Sequence, residues 1–207
     1  MKIAYLIDSV TALGGIERIT LSKASALADI PTNEVYIIVA FHRGEPVSYM
    51  NPRIKLINLD VNYYADYGKS RIQAFLFLLK KRQEHIRKLR VFLNEKQPDV
   101  LISTNQSEKH FIKSLRLDYR PVFIRELHFC SDYRQIEAIS LSQKILAYLG
   151  AYTDYHLKTG NLDKVVLLTE EDRIRNWEGR DNVSVIPNPV TMVSNYPPSP
   201  LTEKRVI

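Results

Sequence analysis

The sequence predicts an α/β fold: a doubly wound, mainly parallel sheet of about seven strands with helices on both faces. Two observations support this prediction. Apolar runs of strand length alternate along the chain with longer stretches of helical periodicity. The run 35–41 is continuously apolar, which is typical of a strand buried on both faces of a sheet, and the run 122–127 is apolar apart from Arg125 and Glu126.

The first predicted strand, 3–7, leads into a loop with two glycines, Gly14 and Gly15, and then into a helix from Ile16 to Ala28. Two glycines before a helix leave amide N–H groups free at the positive end of the helix dipole. This arrangement predicts an anion site, most often for phosphate, and a tight turn without a ligand is the alternative. The loop matches neither the dinucleotide-binding glycine pattern nor the P-loop.

The other elements follow the same alternation, and the sequence predicts where they begin and end. Further strands are predicted at 53–59, 100–103, 164–168 and 183–186, in addition to the two apolar runs above. Helices are predicted at 71–96, at about 108–117, in part of 136–156 and at 170–177, the last after a capping box formed by Thr169 and Asp172. We expect one domain over 1–190, and a linker with the start of a further domain over 191–207.

The composition limits the classes of function. The net charge of +6 indicates an anionic partner without naming it. The single cysteine, Cys130, excludes an internal disulfide and a cysteine-based zinc site, and we expect it to be a spectator thiol in a reducing cytoplasm. The sequence lacks a signal-peptide core and an apolar stretch of ~18 residues, so we expect a cytoplasmic protein. No nucleic-acid-binding motif is present, and no nucleic-acid partner is expected.

The helix 71–96 combines an apolar stripe with many positive charges, and this pattern allows two interpretations. The helix can lie on anionic lipid headgroups at the inner face of the membrane, or it can bury its stripe in the core and expose a solvated face. The basic residues are Lys80, Lys81, Arg82, Arg87, Lys88 and Arg90.

Three stretches together resemble the N-terminal half of family 4 retaining glycosyltransferases of the GT-B fold. They are the stretch 1–7 followed by Gly14-Gly15-Ile16-Glu17-Arg18, the segment 165–172, and the segment 182–189, which ends in Pro187-Asn188-Pro189. Their order and spacing match that family over about residues 1 to 190.

In that family, two Rossmann-like domains face each other across a cleft. The N-terminal domain mainly holds the acceptor and the C-terminal domain mainly holds the sugar nucleotide. The resemblance therefore implies the acceptor half of an enzyme that transfers a sugar from a nucleotide-sugar donor to a glycan or lipid-linked acceptor in surface polysaccharide synthesis. The family's Glu-x7-Glu donor motif has no counterpart here, so we expect residues 1–207 alone to be inactive. No metal or other cofactor is expected.

The resemblance assigns a role to few positions. Gly15 matches the loop glycine whose amide approaches the donor diphosphate, and Gly14 stands beside it. His128, just after the fifth strand, matches a histidine that many members carry near the transferred sugar, which implies a catalytic role. A histidine that merely closes the strand end is the alternative.

Four further residues are candidates for the acceptor side of the cleft: Arg18, Asn105, Arg125 and Glu126. Asn105 follows the fourth strand, where ligands of open α/β sheets bind, but it can equally cap a helix. Arg125 and Glu126 alternate along the fifth strand, so one is expected to face the cleft and the other the interior or a neighbouring helix.

Two other functions compete with sugar transfer. The chain can be a non-catalytic subunit that supplies an acceptor or membrane site to a separate donor-binding protein. A sugar-nucleotide epimerase shares the two-domain architecture, but the glycine opening and the Pro-Asn-Pro exit favour the transferase.

Overall fold

A computed structural model gives the structure of the protein and describes residues 1–7, 9–11, 14–46, 50–63, 70–104, 111–112, 115–153 and 162–189. Its seven strands are β1 (Lys2–Ile7), β2 (Glu34–Val39), β3 (Lys55–Asn58), β4 (Val100–Ser103), β5 (Val122–Glu126), β6 (Lys164–Leu167) and β7 (Val183–Val185). Its helices are α1 (Gly15–Ala28), α2 (Arg71–Lys96), α3 (Tyr133–Glu137), α4 (Leu141–Thr153) and α5 (Glu170–Asn176).

The strands form one sheet in the order β3-β2-β1-β4-β5-β6-β7, and every pairing in it is parallel. The strand order runs in one direction from β1 to β3 and in the other from β4 to β7. The predicted doubly wound parallel sheet is therefore confirmed. The carboxyl ends of β1 and β4 meet where the order reverses, which is where open α/β sheets bind their ligands.

Both faces of the sheet are buried, each in its own hydrophobic cluster. Ile3, Tyr5 and Ile7 of β1 point to one face, where they pack with Leu21 and Ala24 of α1. The alternate residues of the strand point to the other face, where α2 packs through Leu89 and Leu93. A strand buried on both sides has no need for polar residues at alternate positions, which explains the continuous apolar runs.

The helix α2 begins and ends as predicted, but only its second half is buried. Ser70 and Gln73 form a capping box at its start, and Gln97 ends it in the left-handed conformation with a φ of 48°. The apolar side chains of its first half are exposed: Ile72, Phe75, Leu76, Leu78 and Leu79. Because the helix is much longer than the strands it covers, its N-terminal half has no sheet to pack against.

Two predicted helices differ from the structure. The region predicted as partly helical over 136–156 is split into α3 and α4, and Ser140 caps the second of these by accepting a hydrogen bond from the Gln143 amide. Residues 108–110 and 113–114 of the helix predicted over about 108–117 lie outside the described residues, and the described residues 115–117 are not helical. Residues 190–207, and with them the predicted domain boundary, also lie outside the described residues.

Candidate functional site

The glycine opening of α1 lies at the carboxyl edge of β1, beside the reversal of strand order. Gly14 is the N-cap in an extended conformation, with φ −67° and ψ 156°, and no side chain caps the helix. Gly15, the first helical residue, is exposed, and a β-carbon added to it would meet nothing within 4 Å. The helix thus begins without a side-chain cap and with open space beside Gly15, an arrangement that suits an anionic group, and the anion site stays a prediction.

Glu17 and Arg18 differ in how they relate to this opening. The Glu17 carboxylate folds back over Gly14, where it would collide with any β-carbon. Arg18 is exposed, and its amide donates to the Gly14 carbonyl oxygen at 3.1 Å as part of the helix. Both residues therefore lie at the rim of the opening, Glu17 with its charge against the helix end and Arg18 with its side chain toward solvent.

The second part of the site is a buried polar cluster where β5 ends. Glu126 Oε2 lies 3.0 Å from Lys23 Nζ on α1 and 3.3 Å from His128 Nε2. The His128 side chain is 2% exposed, and neither ring nitrogen has a hydrogen-bond partner, because the contact with Glu126 is close but not aligned for one. Unpartnered buried nitrogens are unusual and call for an explanation, of which a missing ligand is one.

The cluster's electrostatics follow from burial and charge. Burial by itself would raise the pKa of Glu126, but the adjacent His128 and Lys23 hold that pKa below its usual value, so the carboxylate is charged. Burial also raises the pKa of Tyr5, and the Glu126 charge adds to that effect. Glu126 is thus a buried anion beside the Lys23 ammonium and the His128 ring, with a neutral phenol nearby.

Arg125 and Glu126 point to opposite faces of β5, and the structure buries both of them. Glu126 lies on the α1 face, through its bond to Lys23. Arg125 pairs in register with Ser103 of β4 and lies on the opposite face. The prediction that one of the two faces the cleft is not settled by their burial, and both stay candidates.

Asn105 lies outside the described residues, so its predicted roles in acceptor binding or helix capping stay predictions. The structure describes the two residues before it. Ser103 ends β4, and Thr104 Oγ1 donates to the Leu6 carbonyl oxygen at 3.1 Å. This contact ties the start of that loop to β1, beside the glycine opening.

A buried network fixes the loop that follows His128. Asp172 is 5% exposed and accepts hydrogen bonds from the Ser131 amide at 3.2 Å, the Ser131 hydroxyl at 3.0 Å and Asn176 Nδ2 at 2.8 Å. Trp177 Nε1 donates to Ser131 Oγ at 2.6 Å. Thr169 caps α5 as predicted, but the Asp172 side chain bonds the loop and not the helix start, so only half of the predicted capping box forms.

Lys23 and Ser131 were not predicted from the sequence as site residues. The sequence could have indicated Lys23, because this residue follows Ile16 and Thr20 at helical spacing and so places a charge on the inward face of α1. Nothing in the sequence around Ser131 indicated its role, since that role depends on contacts with Asp172 and Trp177, which are distant in sequence. The expected spectator Cys130 is exposed, and its bond to Asp132, with burial adding, raises the pKa of the thiol.

The described residues contain neither a metal-binding cluster nor a membrane-spanning helix. In these parts of the chain, no group of three His, Cys, Asp or Glu side chains is arranged to hold a metal ion. Nor does any helix in the described ranges have the length and apolar character needed to cross a membrane.

Comparisons with known proteins give similarity in structure alone. No protein-family profile matches the sequence, and no curated protein sequence matches it. The fold is similar to the lipopolysaccharide outer core galactosyltransferase WaaB, with a TM-score of 0.57 at 18% identity over 92% of this chain and 46% of that protein. It is also similar to sucrose-phosphate synthase from Thermosynechococcus elongatus, with a TM-score of 0.60 at 14% identity over 90% of this chain and 47% of that protein.

A third solved structure is WaaG, a glycosyltransferase involved in lipopolysaccharide biosynthesis, with a TM-score of 0.54 at 11% identity over 89% of this chain and 44% of that protein. The chain thus spans slightly less than half the length of each protein. The predicted resemblance to GT-B glycosyltransferases, with a Rossmann-like domain, is confirmed for the fold.

Proposed function

We propose that this chain is the acceptor-side domain of a retaining glycosyltransferase that moves a sugar from a nucleotide-sugar donor to a glycan or lipid-linked acceptor in surface polysaccharide synthesis. The observation that carries the proposal is the pairing of two features at one edge of the sheet. The uncapped Gly14–Gly15 opening follows β1, and the buried, unpartnered His128 follows β5.

The glycine opening suits the donor's diphosphate. As the bond to the sugar breaks, negative charge grows on the departing diphosphate, and fixed N–H donors in place before the reaction stabilise it. The Gly15 amide and the positive end of α1 would provide such donors, and the space beside Gly15 is open, because a β-carbon there would meet nothing within 4 Å. Groups that bind the nucleotide from the other side of the cleft would come from a second domain, so we propose that residues 1–207 alone are inactive.

His128 is proposed to act on the sugar side of the same cleft, as a hydrogen-bond partner of a sugar hydroxyl or in handling a proton. General acid–base groups contribute roughly 10²–10⁴-fold to rate. No metal enters this proposal, because the helix end and the second domain would together offset the diphosphate charge.

A membrane contact through α2 is part of the proposal, and its support comes more from apolar exposure than from charge. Four of the six basic residues make contacts within the protein and are less free to bind lipid. Lys81 and Lys88 form ion pairs with Glu84, and Lys88 also donates to the Asp60 carbonyl oxygen. Arg82 lies over the Phe111 ring, and Arg90 donates to the Leu115 carbonyl oxygen. The two other basic residues, Lys80 and Arg87, are exposed. Lys80 adjoins the exposed apolar first half of α2, and the two together fit the interfacial zone of an anionic bilayer.

The deciding experiment uses the product of the full reading frame from which this chain comes. Wild type, His128→Ala and the 207-residue chain are each incubated with UDP-, GDP- and other nucleotide sugars, and donor hydrolysis and transfer are measured. We expect the full product to consume one donor, His128→Ala to lose at least about 10²-fold in kcat, and the short chain to consume none. If the full product consumes no donor, the transferase proposal fails and the binding-subunit alternative gains support.

The membrane contact is tested separately, by co-sedimentation of the protein with vesicles that do or do not contain anionic phospholipid. We expect binding to the anionic vesicles that the double variant Phe75→Gln, Leu76→Gln loses without loss of stability, because both side chains are exposed. The matched control is Val91→Gln, which replaces an exposed apolar residue in the second half of α2. Equal binding by all three proteins, or no binding by wild type, contradicts the contact.

A further inference from the structure

The contact between Glu126 and His128 bears on which ring nitrogen of the imidazole carries the proton. Nε2 is the ring nitrogen that lies beside the carboxylate, at 3.3 Å from Oε2. A carboxylate is an acceptor only, so it favours a proton on the nearest nitrogen over a lone pair there. Of the two neutral tautomers, the one with Nε2–H is therefore the stabilised one.

The Glu126 carboxylate is itself held in place from the neighbouring element. Lys23 on α1 donates to the same oxygen at 3.0 Å, and the two side chains are 17% and 10% exposed. Among the described residues, the titratable groups shown to interact with this carboxylate are Lys23 from α1, Tyr5 from β1 and His128 after β5. Lys23 thus provides the counter-charge that lets a buried carboxylate stay ionised beside the ring.

The remaining ring nitrogen has a defined character in this arrangement. With the proton on Nε2, Nδ1 carries a lone pair and is an acceptor. That atom is buried and has no hydrogen-bond partner. A buried acceptor normally receives a hydrogen bond, and the hydroxyl group of a sugar can donate one to Nδ1 at the carboxyl edge of β5.

We propose that Glu126, held by Lys23, is a positioning residue that fixes His128 in the Nε2–H tautomer and so presents Nδ1 as the acceptor for a substrate hydroxyl. The assignment of the hydroxyl rests on the proposed function. The tautomer and its dependence on the Lys23–Glu126 pair do not. Lys23 and Glu126 act through His128 and need not touch the substrate.

The tautomer is read directly by nitrogen-15 NMR of the imidazole rings in the 207-residue chain, at a pH where the rings are neutral. The His128 signals are assigned by their absence in His128→Gln. We expect wild type to show a protonated Nε2 and a bare Nδ1. A wild-type spectrum with the proton on Nδ1, or with both tautomers equally populated, overturns the proposal without any further variant.

The role of the pair is tested with the double variant Lys23→Met, Glu126→Leu, which removes both charges together and leaves neither unpaired. We expect His128 to become a mixture of tautomers, while the fluorescence of the single tryptophan, Trp177, reports an intact fold. The control is Lys81→Met, Glu84→Leu, which removes a similar pair from α2 and should leave the His128 spectrum unchanged. A folded double variant with the wild-type tautomer contradicts the role of the pair.

The activity arm separates this inference from the proposed function. In the full reading frame, we expect the Lys23–Glu126 double variant to lower kcat by at least about tenfold, with the KM for the donor nearly unchanged, because the acceptor atom and not the diphosphate site is disturbed. If no protein consumes a donor but the NMR results hold, the proposed function fails and the positioning pair stands. If donor is consumed and the variant keeps its kcat, the pair has no part in catalysis.

Discussion

The Glu17 carboxylate occupies the place that a β-carbon on Gly14 would need. Gly14 has a φ of −67°, which any residue adopts, so the backbone conformation does not require glycine there. The glycine instead leaves room for Glu17 to fold back over the helix end. The same carboxylate lies beside the proposed diphosphate site, which makes Glu17 and the two glycines direct probes of that site.

Gly15→Ala should separate stability from anion binding. Because a β-carbon at Gly15 meets nothing within 4 Å, the fold accepts it, and alanine stabilises the first helical turn by about 0.5–1 kcal/mol. The methyl group would stand in the open space that the diphosphate is proposed to fill, so we expect UDP affinity to fall at least about tenfold. Urea unfolding and calorimetric titration of UDP into the full-length protein measure the two effects.

The control for that variant is Ala26→Gly, an exposed position on the same helix. It should lower stability by about 0.5–1 kcal/mol and leave UDP binding unchanged. Unchanged UDP affinity in Gly15→Ala would place the diphosphate elsewhere.

Glu17→Gln should strengthen anion binding at a small cost in stability. A carboxylate in the first turn interacts favourably with the helix dipole by about 0.3–1 kcal/mol, but it repels a second anion at the same helix end. We expect the affinity for inorganic pyrophosphate to rise several-fold, most clearly at low salt. Glu137→Gln, which removes an exposed charge from α3, should change neither quantity. Equal pyrophosphate affinity in wild type and Glu17→Gln would refute the anion site.

The Asp172 network should control the loop that carries His128. Asp172→Asn keeps one acceptor oxygen but puts an NH2 donor in place of the other, so one of the two Ser131 donors loses its acceptor, and we expect a loss of about 1–3 kcal/mol in the free energy of unfolding. Because Trp177 donates to Ser131, the emission of this single tryptophan should change in the folded state. Glu171→Gln, the exposed neighbouring residue, is the control. Stability and emission like wild type would show that the loop is held by other contacts.

His85 should make the protein sensitive to mild acid. It is buried among Phe111 and Tyr63, whose hydroxyl lies 3.0 Å from Nδ1, and burial lowers its pKa from 6.5 to about 4. Below pH 6.5 the unfolded chain binds a proton that the folded chain does not, so stability falls as the pH falls from 6.5 toward 4. Between pH 7.5 and pH 5 this amounts to about 2 kcal/mol.

Urea unfolding at these two pH values tests this expectation. His85→Gln should lose about 2 kcal/mol less than wild type on acidification. His42→Gln, in the loop after β2, should keep most of the wild-type loss. The same acid loss in His85→Gln and wild type would assign the sensitivity to other groups.

The sequence alone determined the sheet, its parallel order and where most of its elements begin and end. It could do so because a strand buried on both faces must be apolar throughout, as in β2, and because apolar residues at helical spacing show the extent of a helix, as in α2. It also placed Gly15 and His128 after strands whose carboxyl ends meet at one edge, since parallel topology brings those ends together.

Only the tertiary structure decided what those residues contact. Lys23 and Glu126 are 103 positions apart, and Ser131 and Asp172 are 41 apart, so no local pattern records either contact. The periodicity of α2 likewise could not show that its first half is exposed. A helical stripe shows which side of a helix is apolar, but not whether a sheet extends far enough to cover that side. Side-chain partners depend on where distant elements come together, and that is a property of the packed chain.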